Sequence, residues 1–154
     1  MVDYVDIWDE YSIEFCKKLE YQCGGDWSKL DETEQEIAAL WKLACDMYMS
    51  GFDDFFLSWG FDCYSFAMRG IKRVADTYSD CNKVYKLFDK AYKRVFARFE
   101  NDKRIKAYGD IAQYLNLKDR IILMRTFNAF DKRLGPILCE SAYKYYCEKL
   151  KQKP

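Results

Sequence analysis

The segment CDMYMSGFDDFFLSWGFD, residues 45–62, decides how the rest of the chain is read. It concentrates four of the eleven Phe and two of the seven Gly. Phe52, Phe55, Phe56 and Trp59 fall at i, i+3, i+4 and i+7, which is one face of an α-helix. Gly51 and Gly60 bracket them, and glycine allows φ > 0 and close backbone approach. The spacing therefore predicts a short aromatic helical turn around which the chain reverses. Aromatics at helical spacing line a core far more often than a ligand box, so these side chains are assigned to the core.

On the N-terminal side, Tyr4, Trp8, Tyr11, Phe15 and Leu19 mark one face of a helix from Asp3 to Gln22, which Gly24-Gly25 ends. Asp3, Asp6, Asp9, Glu10 and Glu14 occupy its other face, and the early acids suit the positive end of the helix dipole. A second helix begins near Asp31 or Thr33. Thr33 and Glu36 have capping-box spacing ahead of Ile37, Leu40, Trp41, Ala44 and Tyr48. On the C-terminal side a long helix is predicted over 62–78. A basic one follows, with Val84, Leu87, Phe88, Ala91, Val95 and Phe99 inward and Lys83, Lys86, Lys90, Lys93, Arg94 and Arg98 outward. Residues 101–110 read as a polar loop, 111–134 as a short and a longer helix, and 137–150 as the last one. Gly135-Pro136 has the composition of a helix stop followed by a start. The expected fold is all-α: one orthogonal bundle of about six to eight helices over residues 1–154, with 150–154 a frayed tail.

A chain of 154 residues with half its residues apolar can bury a single substantial core. Two Pro and seven Gly leave room for long helices rather than a turn-dense β sandwich. Its most apolar run, Ile121-Ile122-Leu123-Met124, is far too short to span a membrane. An acidic start without a basic and apolar leader points to the cytoplasm. Seven cysteines form an odd set with wide spacing and no C-x-x-C, which reads as reduced, mostly buried thiols. Histidine is absent. That removes the commonest general base, the commonest transition-metal ligand and every Ser-His or Cys-His nucleophile. No catalytic residue, metal site or cofactor is assigned.

The formal net charge of zero conceals a split. Residues 1–62 carry fifteen Asp/Glu against four Lys/Arg, and residues 63–154 carry ten against twenty-one. Either the halves pair across the surface, or one of them meets a charged partner.

The order of these segments, with Ser50-Gly51-Phe52-Asp53-Asp54-Phe55-Phe56 followed by Trp59-Gly60, resembles the DNA-mimic protein 19 family of small bacterial all-α domains. Phe130-Asp131-Lys132-Arg133-Leu134 resembles that family's closing helix. The chain departs from the family pattern at Met49, Ser50 and Asp54. The resemblance implies structural roles for Gly51, Phe52, Phe55, Phe56, Trp59 and Gly60. It also implies an acidic protein that occupies the DNA-binding surface of another protein. The carboxylates available for that are Asp3, Asp6, Asp9, Glu10, Glu14, Glu32, Glu34, Glu36, Asp53 and Asp54.

The expected function is thus non-enzymatic: an interaction domain, as monomer or homodimer, binding another protein through an acidic N-terminal-half surface. It would act as a DNA-mimic-like or a toxin-neutralising immunity-type protein, with no membrane partner. The alternative is nucleic-acid binding through the basic helix and its continuation, residues 83–106.

Overall fold

The computed structural model describes residues 2–149 and 151. Among them the chain forms six α-helices and no strand: α1 Tyr4–Lys17, α2 Glu32–Met49, α3 Phe52–Ala75, α4 Cys81–Ala91, α5 Leu117–Ala129 and α6 Gly135–Tyr143. The all-α bundle expected from the periodicity is what forms. Of the tail expected at 150–154, all but Lys151 lies outside the described residues.

Helix α2 runs through the middle, packed mainly against α3 and α1, while α6 closes on α1. From Glu36 to Leu40 every residue of α2 is buried, and Lys42, Leu43, Ala44 and Met47 follow. A helix apolar around most of its circumference needs neighbours on all sides, and here α1, α3 and the Phe130–Leu134 turn supply them. Asp31 caps α2, not Thr33. The Asp31 carboxylate accepts from the Glu34 N–H at 2.8 Å, and the Glu34 carboxylate accepts from the Asp31 N–H at 3.1 Å. Both candidate pairs have the same spacing, and the one starting earlier satisfies the free N–H groups of the first turn. Glu36 is thereby released for another role.

The aromatic stretch is core, as its spacing predicts. Phe52, Phe55 and Phe56 are wholly buried, each such side chain stabilising the fold by roughly 2–3 kcal/mol. Phe56 stacks on Phe96 with ring centres 4.1 Å apart, and Phe52 meets Phe88 at 5.0 Å. The start of α3 is in this way fastened to α4 and its extension.

The chain does not reverse after Trp59. α3 continues to Ala75 through a local break at Gly60, where φ is +76° and ψ is −164°. The turn itself lies at Gly51, which caps α3 with φ +133°.

Several helices end in a widened turn bonded i to i+5. Cys23 N–H donates to Lys18 C=O at 3.0 Å beyond α1. Tyr92–Phe96 after α4, Phe130–Leu134 after α5 and Lys144–Lys149 after α6 are built likewise. Gly135-Pro136 therefore does not stop a helix. The chain stays helical from α5 into α6, and Pro136 sits in the first turn of α6, where a missing N–H costs no bond. Gly135 is required there by packing, because a Cβ would lie 2.1 Å from the Tyr48 hydroxyl oxygen. No described helix is long and apolar enough to cross a membrane.

Candidate functional site

The charge split seen in the sequence is only partly neutralised by folding. Pairing between the halves runs through two arginines of α3 onto two glutamates of α2. Arg69 and Arg73 both reach Glu36, and Arg73 also approaches Glu32 at 3.6 Å. The other ion pairs among the described residues stay within one half, such as Lys18–Glu34, Lys42–Glu20 and Arg98–Asp119. An acidic face and a basic face consequently survive at the surface.

The acidic face is α1. Asp3, Asp6, Asp9, Glu10 and Glu14 are all exposed. Asp3 caps the helix by accepting from the Val5 N–H at 3.0 Å, Asp9 accepts from the Trp41 indole at 2.8 Å, and Glu14 pairs with Lys17 at 3.2 Å. Among the described residues, Asp6 and Glu10 have no such partner. At about 1.5 Å of rise per residue, these five charges are spread unevenly along the axis, with steps from about 1.5 to about 6 Å and a mean of about 4 Å.

The other predicted carboxylates do not join this face as a set. Glu36 is wholly buried, so it is removed from the binding residues. Its Oε1 accepts from Arg73 Nε and the Tyr146 hydroxyl at 2.9 Å each, and its Oε2 accepts from Arg69 Nε at 2.7 Å. Glu34 serves the α2 cap and Lys18, and Glu32 lies beside Arg69 and Arg73. Asp53 and Asp54 are half-buried in the first turn of α3. Burial, and then its neighbour Asp54, push the Asp53 carboxyl up, while Arg120 opposes the shift. Asp53 thus faces the basic half, alongside Met124 and Phe127.

Between α1 and α2 lies a cleft of about 230 Å³ that the sequence reading missed. Asp6 and Asp9 stand on its α1 side, and Trp41, Cys45, Tyr48 and Met49 on its α2 side. Met49 projects with 79% of its surface exposed. The signal was present as a stripe at 41, 45, 48 and 49, but an apolar run on an amphipathic helix reads as core. Elsewhere on α2, Lys42 is 2% exposed with its ammonium 3.3 Å above the Trp59 ring. The Trp59 indole donates to Asp46 at 3.0 Å. Trp59, a family-motif position, is thus half-buried and held by Lys42 and Asp46.

The basic face comes from more than one helix. On residues 83–106, Lys83, Lys93, Arg98 and Arg104 are tied to Asp80, Asp89, Asp119 and Asp102. Among the described residues, Lys86, Lys90, Arg94, Lys103 and Lys106 are left without an ion pair. Lys118 and Arg125 of α5 add to them across a shared trough.

The seven thiols are all free, and Cys45 is the one not buried. Burial pushes the Cys16 thiol up to about 12 and raises Cys45, Cys63, Cys81 and Cys139 as well. Since the thiolate is the reactive form, iodoacetamide at pH 8 should label the folded protein at Cys45 only, and slowly. In urea all seven should react; mass spectrometry counts both. The same shifts set an alkaline limit. Above about pH 8.5 the unfolded chain loses thiol protons that the folded chain keeps, so stability falls as pH rises. Urea midpoints that stay level from pH 7 to pH 10 would contradict this.

Among the described residues, no three of Cys, Asp and Glu gather as a metal site. No curated protein and no solved structure matches the chain. A family model does match, that of the DMP19-like protein, over residues 28–150. The match takes in the aromatic stretch, α2 through α6 and the closing helix, and it begins after α1. On that match, which covers most of its length, the chain belongs to the DMP19-like protein family.

Proposed function

We propose that this chain is a non-enzymatic interaction protein that binds a basic surface of another protein through the acidic face of α1, as a DNA mimic does. The observation that carries the reading is the row of five exposed carboxylates, which among the described residues forms no ion pair with a base of the second half. The mean charge density of one per about 4 Å compares with one per about 3.4 Å along a single DNA strand, and phosphate charge dominates protein–DNA affinity. The neighbouring cleft supplies what a row of charges lacks. Trp41 and the projecting Met49 offer apolar area beside Asp6 and Asp9, and such side chains anchor interfaces.

The test uses capture from cell lysate, with and without nuclease treatment, with the natural chain and with Asp6→Asn, Glu10→Gln and Glu14→Gln combined. These exposed changes leave the core untouched, and thermal unfolding checks that. The natural chain should retain a protein partner that duplex DNA or 0.5 M salt releases, and the neutralised chain should lose it. Equal capture by both chains, or recovery of nucleic acid in place of protein, overturns the reading.

A further inference from the structure

We propose that the trough between α4 and α5 is a second docking site, and that it takes an acidic amphipathic helix from a partner protein. Its floor is apolar, with Leu87 and Ala91 from α4 and Ile122 and Ala129 from α5, around a recess of about 260 Å³. Arg94 and Ile122 also line a second recess toward the start of α5, so the trough is continuous. Lys90, Arg94, Lys118 and Arg125 rim it, all exposed and none in an ion pair among the described residues. The one carboxylate in the trough, Asp119, is 3% exposed and held by both Arg98 terminal nitrogens, at 3.0 and 2.5 Å. It therefore offsets Arg98 first and, of the rim cations, acts on the neighbouring Lys118.

Four unpaired cations around an apolar floor select for an occupant that is acidic and apolar on alternate turns. An amphipathic helix places apolar residues at i, i+3, i+4 and i+7 in a groove and carboxylates on its flanks. Leu87 to Arg98 spans about 16 Å, or roughly three turns of a partner helix. Nucleic acid would satisfy the rim but leave the floor uncovered, because its outer surface is phosphate. Leu117, Ile121 and Met124 strengthen the choice. They line the adjacent face of α5 with exposures of 76%, 38% and 58%, so the apolar contact area extends beyond the trough's edge.

The probe is a fluorescein-labelled peptide of about sixteen residues, with Leu at helical spacing and Glu elsewhere. A scrambled peptide of the same composition and a single-stranded oligonucleotide are its controls. The patterned peptide should bind at least about tenfold more tightly than either. Arg94→Glu with Arg125→Glu should weaken it about tenfold or more. Ala129→Gln, which obstructs the floor and leaves the charge unchanged, should weaken it comparably, with the fold of each variant checked by circular dichroism. Equal binding of the scrambled peptide, tighter binding of the oligonucleotide, or no binding of the patterned peptide overturns the proposal. None of these variants alters the α1 row, so failure here leaves the acidic-face reading standing, and the reverse holds too.

Discussion

Replacing Glu36 with Ala should lower stability by about 3 kcal/mol, or roughly 10 °C in Tm for a chain of this size. The carboxylate is wholly buried and spends both oxygens on four donated bonds, from Arg69 Nε, Arg73 Nε and Nη2, and the Tyr146 hydroxyl. Removing it leaves three groups facing a gap, and their fates differ. Arg69 and Arg73 keep 33% and 42% of their side-chain surface in water and can turn outward. Tyr146 is 1% exposed and cannot. Its orphaned hydroxyl then costs about 1–3 kcal/mol, and the vacated methylenes add a smaller cavity term. The site is tightly closed, since a Cβ at Gly70 would lie 3.0 Å from the Tyr146 hydroxyl and 3.2 Å from the Glu36 Cβ. Glu36→Gln keeps the volume but turns an NH2 group toward two donors, so it should recover little. Tyr146→Phe in the Glu36→Ala background should recover about 1 kcal/mol, because the orphan is gone. Urea unfolding of the three variants measures this. A Glu36→Ala midpoint within error of the natural chain would refute the hub.

That glutamate also marks where the sequence stopped being legible. Phe52, Phe55, Phe56, Val84, Phe88 and Val95 announce their burial through period alone, because apolar spacing and burial have the same cause. Glu36 has no such signature. As an acid near a helix start it looks like a capping residue, and only the packing of α3 and of Tyr146, in the turn after α6, against it shows that it is enclosed. The same blindness hid the cleft. Trp41, Tyr48 and Met49 belong to an amphipathic helix, and no local pattern tells which of its apolar residues a neighbour will cover. Gly135-Pro136 misled for a related reason. Its composition signals a stop, but the widened turn before it shifts the bonding so that proline fits. The exposed acids of α1 were readable because they share one helix. The basic trough was not, because α4 and α5 contribute to it from segments thirty residues apart.

Replacing Gly60 with Ala should destabilise the protein by about 2–4 kcal/mol, and the size has two separable parts. The first is backbone. Gly60 holds φ +76° in the middle of α3, and an L side chain there costs of order 1–2 kcal/mol. The second is space. A Cβ at Gly60 would lie 2.1 Å from the Tyr108 ring, so either the ring or α3 must move. Tyr108 is 39% exposed and starts the 3₁₀ segment Tyr108–Tyr114, which packs along α3. Moving the ring therefore loosens that segment rather than the core. Tyr108→Ala should clear the space while leaving the strain, so in the Tyr108→Ala background the Gly60→Ala penalty should shrink to the backbone part. Gly109→Ala serves as a control, since nothing lies within 4 Å of its added methyl and it should change stability little. Chemical denaturation of the single and double variants separates the parts. A penalty that Tyr108→Ala leaves unchanged would mean that strain alone fixes this glycine. A penalty that it abolishes would mean that the break in α3 exists to seat the ring.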